Sequence, residues 1–336
     1  MSEHPMTDSG AVKPSMTTPS PNVDRKSGFV AIAGRPNAGK STILNALLGT
    51  DLSIVTSKAQ TTREMVNGVL TEKEGQIVFI DTPGIHRAKE GGINAFMMSQ
   101  VRNALEEPDL IWYLVDPESG PTYETPVLEL LERAKAPVFL IFNKCDRKIG
   151  SDLVRALEPA MKAAMTERGI EVRETFRLSA LRKRGLDVLL KKTWENLPVG
   201  PFHYEDEDQI SDRPTRFFVA EKIREQLFLK LGEELPYSCA IGIDKFDESA
   251  DPVRIEATIY VERESQKGMV IGAKGAKIKD IGTHARHQID KFLGTKVFLG
   301  LQVKVLKEWS KDPERMKQLG YVLPKSGAKG SGQKAK

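Results

Sequence analysis

Nothing in this sequence approaches the run of about 20 apolar residues that a membrane-spanning helix needs, so any contact with a bilayer would be peripheral. Cysteine is scarce too. Cys145 and Cys239 are far apart and flank no metal-ligand spacing, which argues against a disulfide framework or a thiolate metal site and fits a reduced, cytoplasmic setting. Residues 1–26 lack hydrophobic periodicity, an apolar core and an Arg-rich amphipathic face; they are expected to be a disordered extension, neither a signal nor a transit peptide. What is present, 40% apolar and 29% charged residues over 336 positions, suffices for two soluble domains, each with its own core. The net charge of +4 says little by itself, and its distribution says more.

Gly34-Arg35-Pro36-Asn37-Ala38-Gly39-Lys40-Ser41 fits G-x-x-x-x-G-K-[ST]. The apolar run Phe29–Ala33 before it reads as a buried parallel strand, and Thr42–Leu48 after it as a helix stopped by Gly49. A glycine-rich turn between strand and helix points its N–H groups, with the helix N-terminus, at an anion. Lys40 would reach β- and γ-phosphate oxygens, Ser41 a Mg²⁺ ion, and Thr42 lines the same turn.

The polar stretch that follows contains Thr61 and Thr62, where a nucleotide switch keeps a Thr that meets Mg²⁺ only with the γ-phosphate present. Thr62 is the first choice, with Thr61 close behind. Strand Gln76–Ile80 then runs into Asp81-Thr82-Pro83-Gly84. There Asp81 can hold Mg²⁺ through water, and the Gly84 N–H can sense the γ-phosphate. Lys40, Thr62, Asp81 and Gly84 make up the candidate catalytic set. The next residue, Ile85, cannot orient a water, so help must come from another residue, a partner or a monovalent cation such as K⁺; Asn37 is a candidate ligand for the last. The runs Leu110–Val115 and Val138–Phe142 read as further buried strands, giving an α/β fold with a doubly wound, mostly parallel sheet.

Asn143-Lys144-Cys145-Asp146 ends the second of those runs. A carboxylate at Asp146 accepts from guanine N1–H and N2–H together, which adenine cannot match; Asn143 can meet the purine edge and the Lys144 stem can cover the ring. Ser179 and Ala180 fit the loop that closes over the base. A GTP or GDP site follows.

Around Pro198–Asp212 the chain turns Pro-rich and acidic, which places a linker at 201–215 between a first domain of 27–200 and a second of 216–323. The second opens with helical spacing over Arg216–Leu231, followed by strand candidates Tyr237–Phe246 and Val253–Val261. Then comes Gly272-Ala273-Lys274-Gly275, with Lys277 and Lys279 at its exit, strand Lys296–Leu306 and a helix from Glu308. From Ser265 to Lys307 there are nine Lys or Arg against Asp280 and Asp290. Small residues let an RNA backbone approach, and the lysines hold phosphates, as in a KH domain. The same patch can attract anionic lipid, so peripheral membrane association is an alternative. Residues 324–336 read as a basic, flexible tail.

The first set of motifs resembles translation-factor-type GTPases. Gly34–Ser41 together with Gln60-Thr61-Thr62-Arg63 and Asp81-Thr82-Pro83-Gly84-Ile85-His86 resembles the Era family in particular, in which an apolar residue also stands at the Ile85 position. The type II KH arrangement, Ser211-Asp212-Arg213-Pro214 and Trp309-Ser310-Lys311 extend the resemblance over roughly residues 28–323, with Glu64 as a local departure. It implies a monomeric GTP hydrolase that binds the 3′-end region of small-subunit (16S) ribosomal RNA and acts in assembly of the 30S subunit. A rival expectation is an RNA-binding protein regulated by nucleotide, with negligible turnover.

Overall fold

The computed structural model describes residues 25–324 apart from 57, 59, 87–90, 148–149 and 233. The expected basic tail, and all but the end of the expected N-terminal extension, lie outside the described residues.

Among the described residues of the first domain, six strands form one sheet in the order β2-β3-β1-β4-β5-β6. β1 (Lys26–Gly34), β3 (Gly75–Asp81), β4 (Leu110–Val115), β5 (Val138–Phe142) and β6 (Val172–Arg177) run parallel, and β2 (Val66–Glu72) pairs antiparallel with β3. Every residue of β4 and β5 is buried, because helices cover both faces of a parallel sheet. α1 (Lys40–Leu48) and α5 (Leu186–Asn196) lie over Val30, Ile32, Phe79 and Trp112. α2 (Gly92–Ala104), α3 (Thr125–Leu131) and α4 (Gly150–Glu167) cover the Ala31, Tyr113 and Phe142 side. β1 sits between β3 and β4, so the strand order reverses at its carboxyl end. That is the crevice where such sheets bind ligands, and the turn after β1 opens there.

The second domain consists of α6 (Thr215–Lys230), β7 (Ala240–Asp247), β8 (Val253–Val261), α7 (Glu264–Ile271), α8 (Ala276–Leu293), β9 (Val297–Val305) and α9 (Pro313–Gln318). β8 is central, antiparallel to β7 and parallel to β9, and α6 and α8 pack on one face through Val219, Ile223, Ala285 and Ile289. The parallel return from β8 to β9 is made by α7, the Gly272–Gly275 loop and α8, the type II KH topology expected from the sequence.

Three expectations shift. Leu235–Ser238 is a 3₁₀ turn, so β7 starts at Ala240 and not at Tyr237. The helix expected from Glu308 begins only at Pro313, where the Asp312 carboxylate accepts the Glu314 N–H at 3.0 Å. The expected linker does not hang free: Gln76, inside β3, accepts from the His203 and Tyr204 N–H groups at 2.9 Å each, and Val69 N–H donates to Ile210 O at 2.8 Å. The segment thus covers the β2 edge of the sheet, whose N–H and C=O groups would otherwise lie open.

Candidate functional site

The Gly34–Ser41 turn lies at the mouth of a cleft of about 440 Å³, lined by Pro36, Asn37, Gly39, Lys40, Ser41, Thr42, Thr61, Thr62, Gly84 and Lys144. Lys40 is buried, and its ammonium donates to Gly34 O at 3.1 Å and Arg35 O at 3.0 Å. Burial lowers its pKa to about 8, against the pull of Asp81 and Glu124. Ammonium at this depth is poised to gain from an incoming anion. Gly84 packs on the turn so closely that a Cβ would come within 2.7 Å of Pro36 Cα, which requires glycine there. Ile85 N–H donates to Gly34 O at 3.1 Å, tying the two loops together.

Ser41, Thr62 and Asp81 come from three separate segments and meet. Ser41 Oγ donates to Asp81 Oδ2 at 2.7 Å and lies 3.1 Å from Thr62 Oγ1. The Asp81 carboxyl is raised above its usual range by burial, with Lys40 and Ser41 pulling the other way, and its Oδ1 is buried without a hydrogen-bond partner. Two hydroxyls and a carboxylate with an orphaned oxygen are a donor set that suits a hard cation such as Mg²⁺.

Between Lys144 and Arg147, which line the cleft, Asp146 is exposed, and the Ser179 hydroxyl holds its carboxyl below the ordinary range. Lys144 ion-pairs with Asp116 at 2.6 Å, which fixes the stem expected to cover the base. Sequence reasoning missed Asp116, although it lies at the carboxyl end of β4, where the crevice rule points. It missed Leu181 also, 72% exposed at the cleft wall.

Several expected side chains do other work. Asn143 donates to Ala38 O at 2.9 Å and accepts the Ala180 N–H at 2.9 Å, so it clamps the phosphate turn to the Ser179–Ala180 loop; one amide hydrogen is left for a purine edge. The Thr82 hydroxyl is buried and donates to Ile32 O at 2.7 Å, and Pro83 is buried beside it, so these two reach the cleft only through their backbone. The Arg35 guanidinium lies over the Tyr123 ring, in a neighbouring recess. Ile85, 1% exposed, belongs to the core and not to the cleft. Glu64 pairs with Arg213 at 3.2 Å, which accommodates the local departure; burial still raises its pKa.

In the second domain Gly272 (φ 73°), Lys274 (φ 49°) and Gly275 (φ 78°) form a tight, left-handed turn from which Ala273, Lys274, Lys277 and Lys279 are exposed. Beside it runs a groove of about 300 Å³ between α8 and β9, lined by Lys279, Gly282, Thr283, Arg286, Leu299 and Leu301 among others. The helical spacing of 279, 282, 283 and 286 was readable, but its apolar floor on β9 was not.

Comparison with known proteins agrees with this geometry. A family model described as "50S ribosome-binding GTPase" matches residues 29–144, and one described as "KH domain" matches residues 234–310. GTPase Era of Staphylococcus haemolyticus (strain JCSC1435) is 41% identical over 304 residues, covering 89% of this chain and 98% of that protein. Among solved structures, Era in complex with MgGDPNP and nucleotides 1506–1542 of 16S ribosomal RNA is 36% identical, with a TM-score of 0.83 over 89% of this chain and all of that one. A variant of Aquifex aeolicus Era bound to GDP and AlF₄⁻ is 38% identical, with a TM-score of 0.82 over the same 89% of this chain and 100% of its own. Identity at this level over both domains, with every motif of the cleft in place, makes the chain a member of the Era family of GTPases.

Proposed function

We propose that this chain hydrolyses GTP to GDP and phosphate and binds small-subunit (16S) ribosomal RNA through its KH domain, as a cytoplasmic switch in assembly of the 30S subunit. The observation that carries the reading is the meeting of Ser41, Thr62 and Asp81 around an orphaned carboxylate oxygen, beside a phosphate turn whose cleft is also lined by Lys144 and Arg147, the neighbours of Asp146. Ser41 and Thr62 would hold Mg²⁺ directly and Asp81 through water; when bound, the ion neutralises charge on the phosphate oxygens. Lys40 and the turn's N–H groups hold the β- and γ-phosphates in place, and Gly84 N–H donates to the γ-phosphate. Asp146 and Lys144 fix the guanine.

The attacking water is not oriented by Ile85, whose side chain is in the core. Asn37, exposed on the cleft at φ 63°, is the candidate ligand for a K⁺ ion that would supply positive charge beside the phosphates in place of that help. The RNA half of the reading is supported by the exposed Lys274, Lys277 and Lys279 beside the Gly272 turn, and by the relative crystallised with a 16S fragment.

Single-turnover GTP hydrolysis, measured in potassium and in sodium buffer with and without the 3′-terminal fragment of small-subunit rRNA, tests it. Acceleration by the RNA is expected, and a requirement for potassium supports the Asn37 site. A rate near that of free GTP, unmoved by RNA, would leave only a nucleotide-regulated RNA binder.

A further inference from the structure

Arg63 follows Thr62 in the chain but reaches out of the first domain. It is 4% exposed, and its guanidinium ends among atoms of the KH domain: Nη1 donates to Cys239 O at 2.8 Å and Nη2 to Tyr237 O at 2.8 Å, while Cζ lies 5.4 Å from the centre of the Trp309 ring. The Trp309 ring stacks on Tyr321 at 5.7 Å. The same segment also meets α2: Ile93 N–H at the start of that helix donates to Ser310 O at 2.8 Å, and Phe96 meets Tyr321 at 5.4 Å. The Trp309–Tyr321 segment therefore touches both the loop carrying Thr62 and the helix that follows Gly84.

A guanidinium presents its donors in a rigid fork, and burying it is unfavourable unless those donors are matched. Two carbonyls and an aromatic face match this one, so the KH domain dictates where Arg63 sits. Adjacent Cα atoms are only about 3.8 Å apart. Fixing Arg63 therefore fixes the backbone of Thr62, whose hydroxyl faces Ser41 at 3.1 Å.

We propose that Arg63 is a positioning residue: its lock on the KH domain holds Thr62 in the place from which it engages a GTP-bound metal, so that the second domain stabilises the GTP state over the GDP state. The inference rests on the reading of Thr62 given above. GDP makes no use of Thr62, so the lock contributes to affinity only when the γ-phosphate is present. Coupling of this kind is reciprocal, and bound GTP strengthens the docking of the KH domain in turn.

The test is binding of a non-hydrolysable GTP analogue and of GDP, both with Mg²⁺, to the full chain. Arg63→Gln is expected to weaken the GTP analogue by about tenfold or more and GDP by less than about twofold, the loss expected for hydrogen bonds to a charged group. Trp309→Leu, which loosens the lock from the KH side, is expected to move the ratio in the same direction. Equal losses for the two nucleotides would indicate a folding role and overturn the proposal, as would no loss for either. Thr62→Ala separates the two readings. If it leaves the ratio unchanged, the assignment of Thr62 falls and the lock with it; if it shifts the ratio while Arg63→Gln does not, only the lock falls.

Discussion

The Ser179 hydroxyl donates to Asp146 Oδ1 at 2.5 Å, and Ser179 Oγ in turn accepts the Arg182 N–H at 3.1 Å. This relay holds an exposed carboxylate in one orientation and keeps it ionised. A fixed anion is the partner that the paired N1–H and N2–H donors of guanine require. Asp146→Asn places a donor where guanine also donates, and should move preference from guanine to xanthine nucleotides. Competition between GTP and XTP for the cleft measures the exchange, and unchanged GTP affinity would remove the base assignment. Ser179→Ala should leave base preference intact while weakening GTP by about 1 kcal/mol, the worth of one hydrogen bond.

Asn143 offers a different test, because it is 2% exposed and both ends of its amide are engaged. Truncation to Ala strands the Ala38 carbonyl and the Ala180 N–H, each buried, and a buried group left unpaired costs about 1–3 kcal/mol. Asn143→Ala should therefore lower the melting temperature of the nucleotide-free protein and GDP affinity together. Loss of GDP affinity with no change in melting would return Asn143 to the base edge and remove the clamp.

The depressed pKa of Lys40 sets a pH dependence with a definite sign. In the nucleotide-free protein the ammonium is half deprotonated at about pH 8 and loses its proton progressively above it, whereas bound phosphates raise its pKa again. Binding then takes up a proton in this range and none below it. Affinity for GTP should be flat up to about pH 8 and fall above it by about one decade per pH unit. Titration calorimetry in buffers of different ionisation enthalpy reads the proton uptake directly. The slope should vanish in Lys40→Met, whose affinity is low throughout.

The nucleotide motifs were legible because their chemistry demands fixed residue types at fixed spacing, and β4 and β5 because strands buried on both faces are apolar throughout. β2 escaped notice: Asn67 and Gly68 interrupt it, and it is an edge strand whose partner is the linker. α4 and β6 were passed over too, the latter reading Val-Arg-Glu-Thr-Phe-Arg with little apolar content to mark it. The docking of the linker depends on Gln76, a polar residue inside a strand whose partners lie over a hundred residues away. Arg63 stands in the Gln60–Arg63 motif, but its role is hidden in the sequence, since Tyr237, Cys239 and Trp309 come near it only once the domains meet. Local chemistry is written in local sequence; contacts between domains are not.

The RNA cradle can be broken without touching the nucleotide cleft. Gly272 sits at φ 73° and ψ 174°, a region open almost only to glycine, and a Cβ there would come within 2.6 Å of Lys277 Cβ. Gly272→Ala tests the backbone alone: strain of about 1–3 kcal/mol should distort the turn and weaken RNA binding in part. Gly272→Asp adds a negative charge beside Lys274 and Lys277, where phosphates are expected, and should weaken RNA far more, with the loss largest at low salt. Gly272 does not line the cleft of Lys40 and Ser41, so GTP affinity should stay at the wild-type value in both variants. Filter binding to the 3′-terminal rRNA fragment at two salt concentrations, paired with a nucleotide titration, separates the two effects. RNA affinity unmoved by Gly272→Asp would show that the RNA lies elsewhere on the domain.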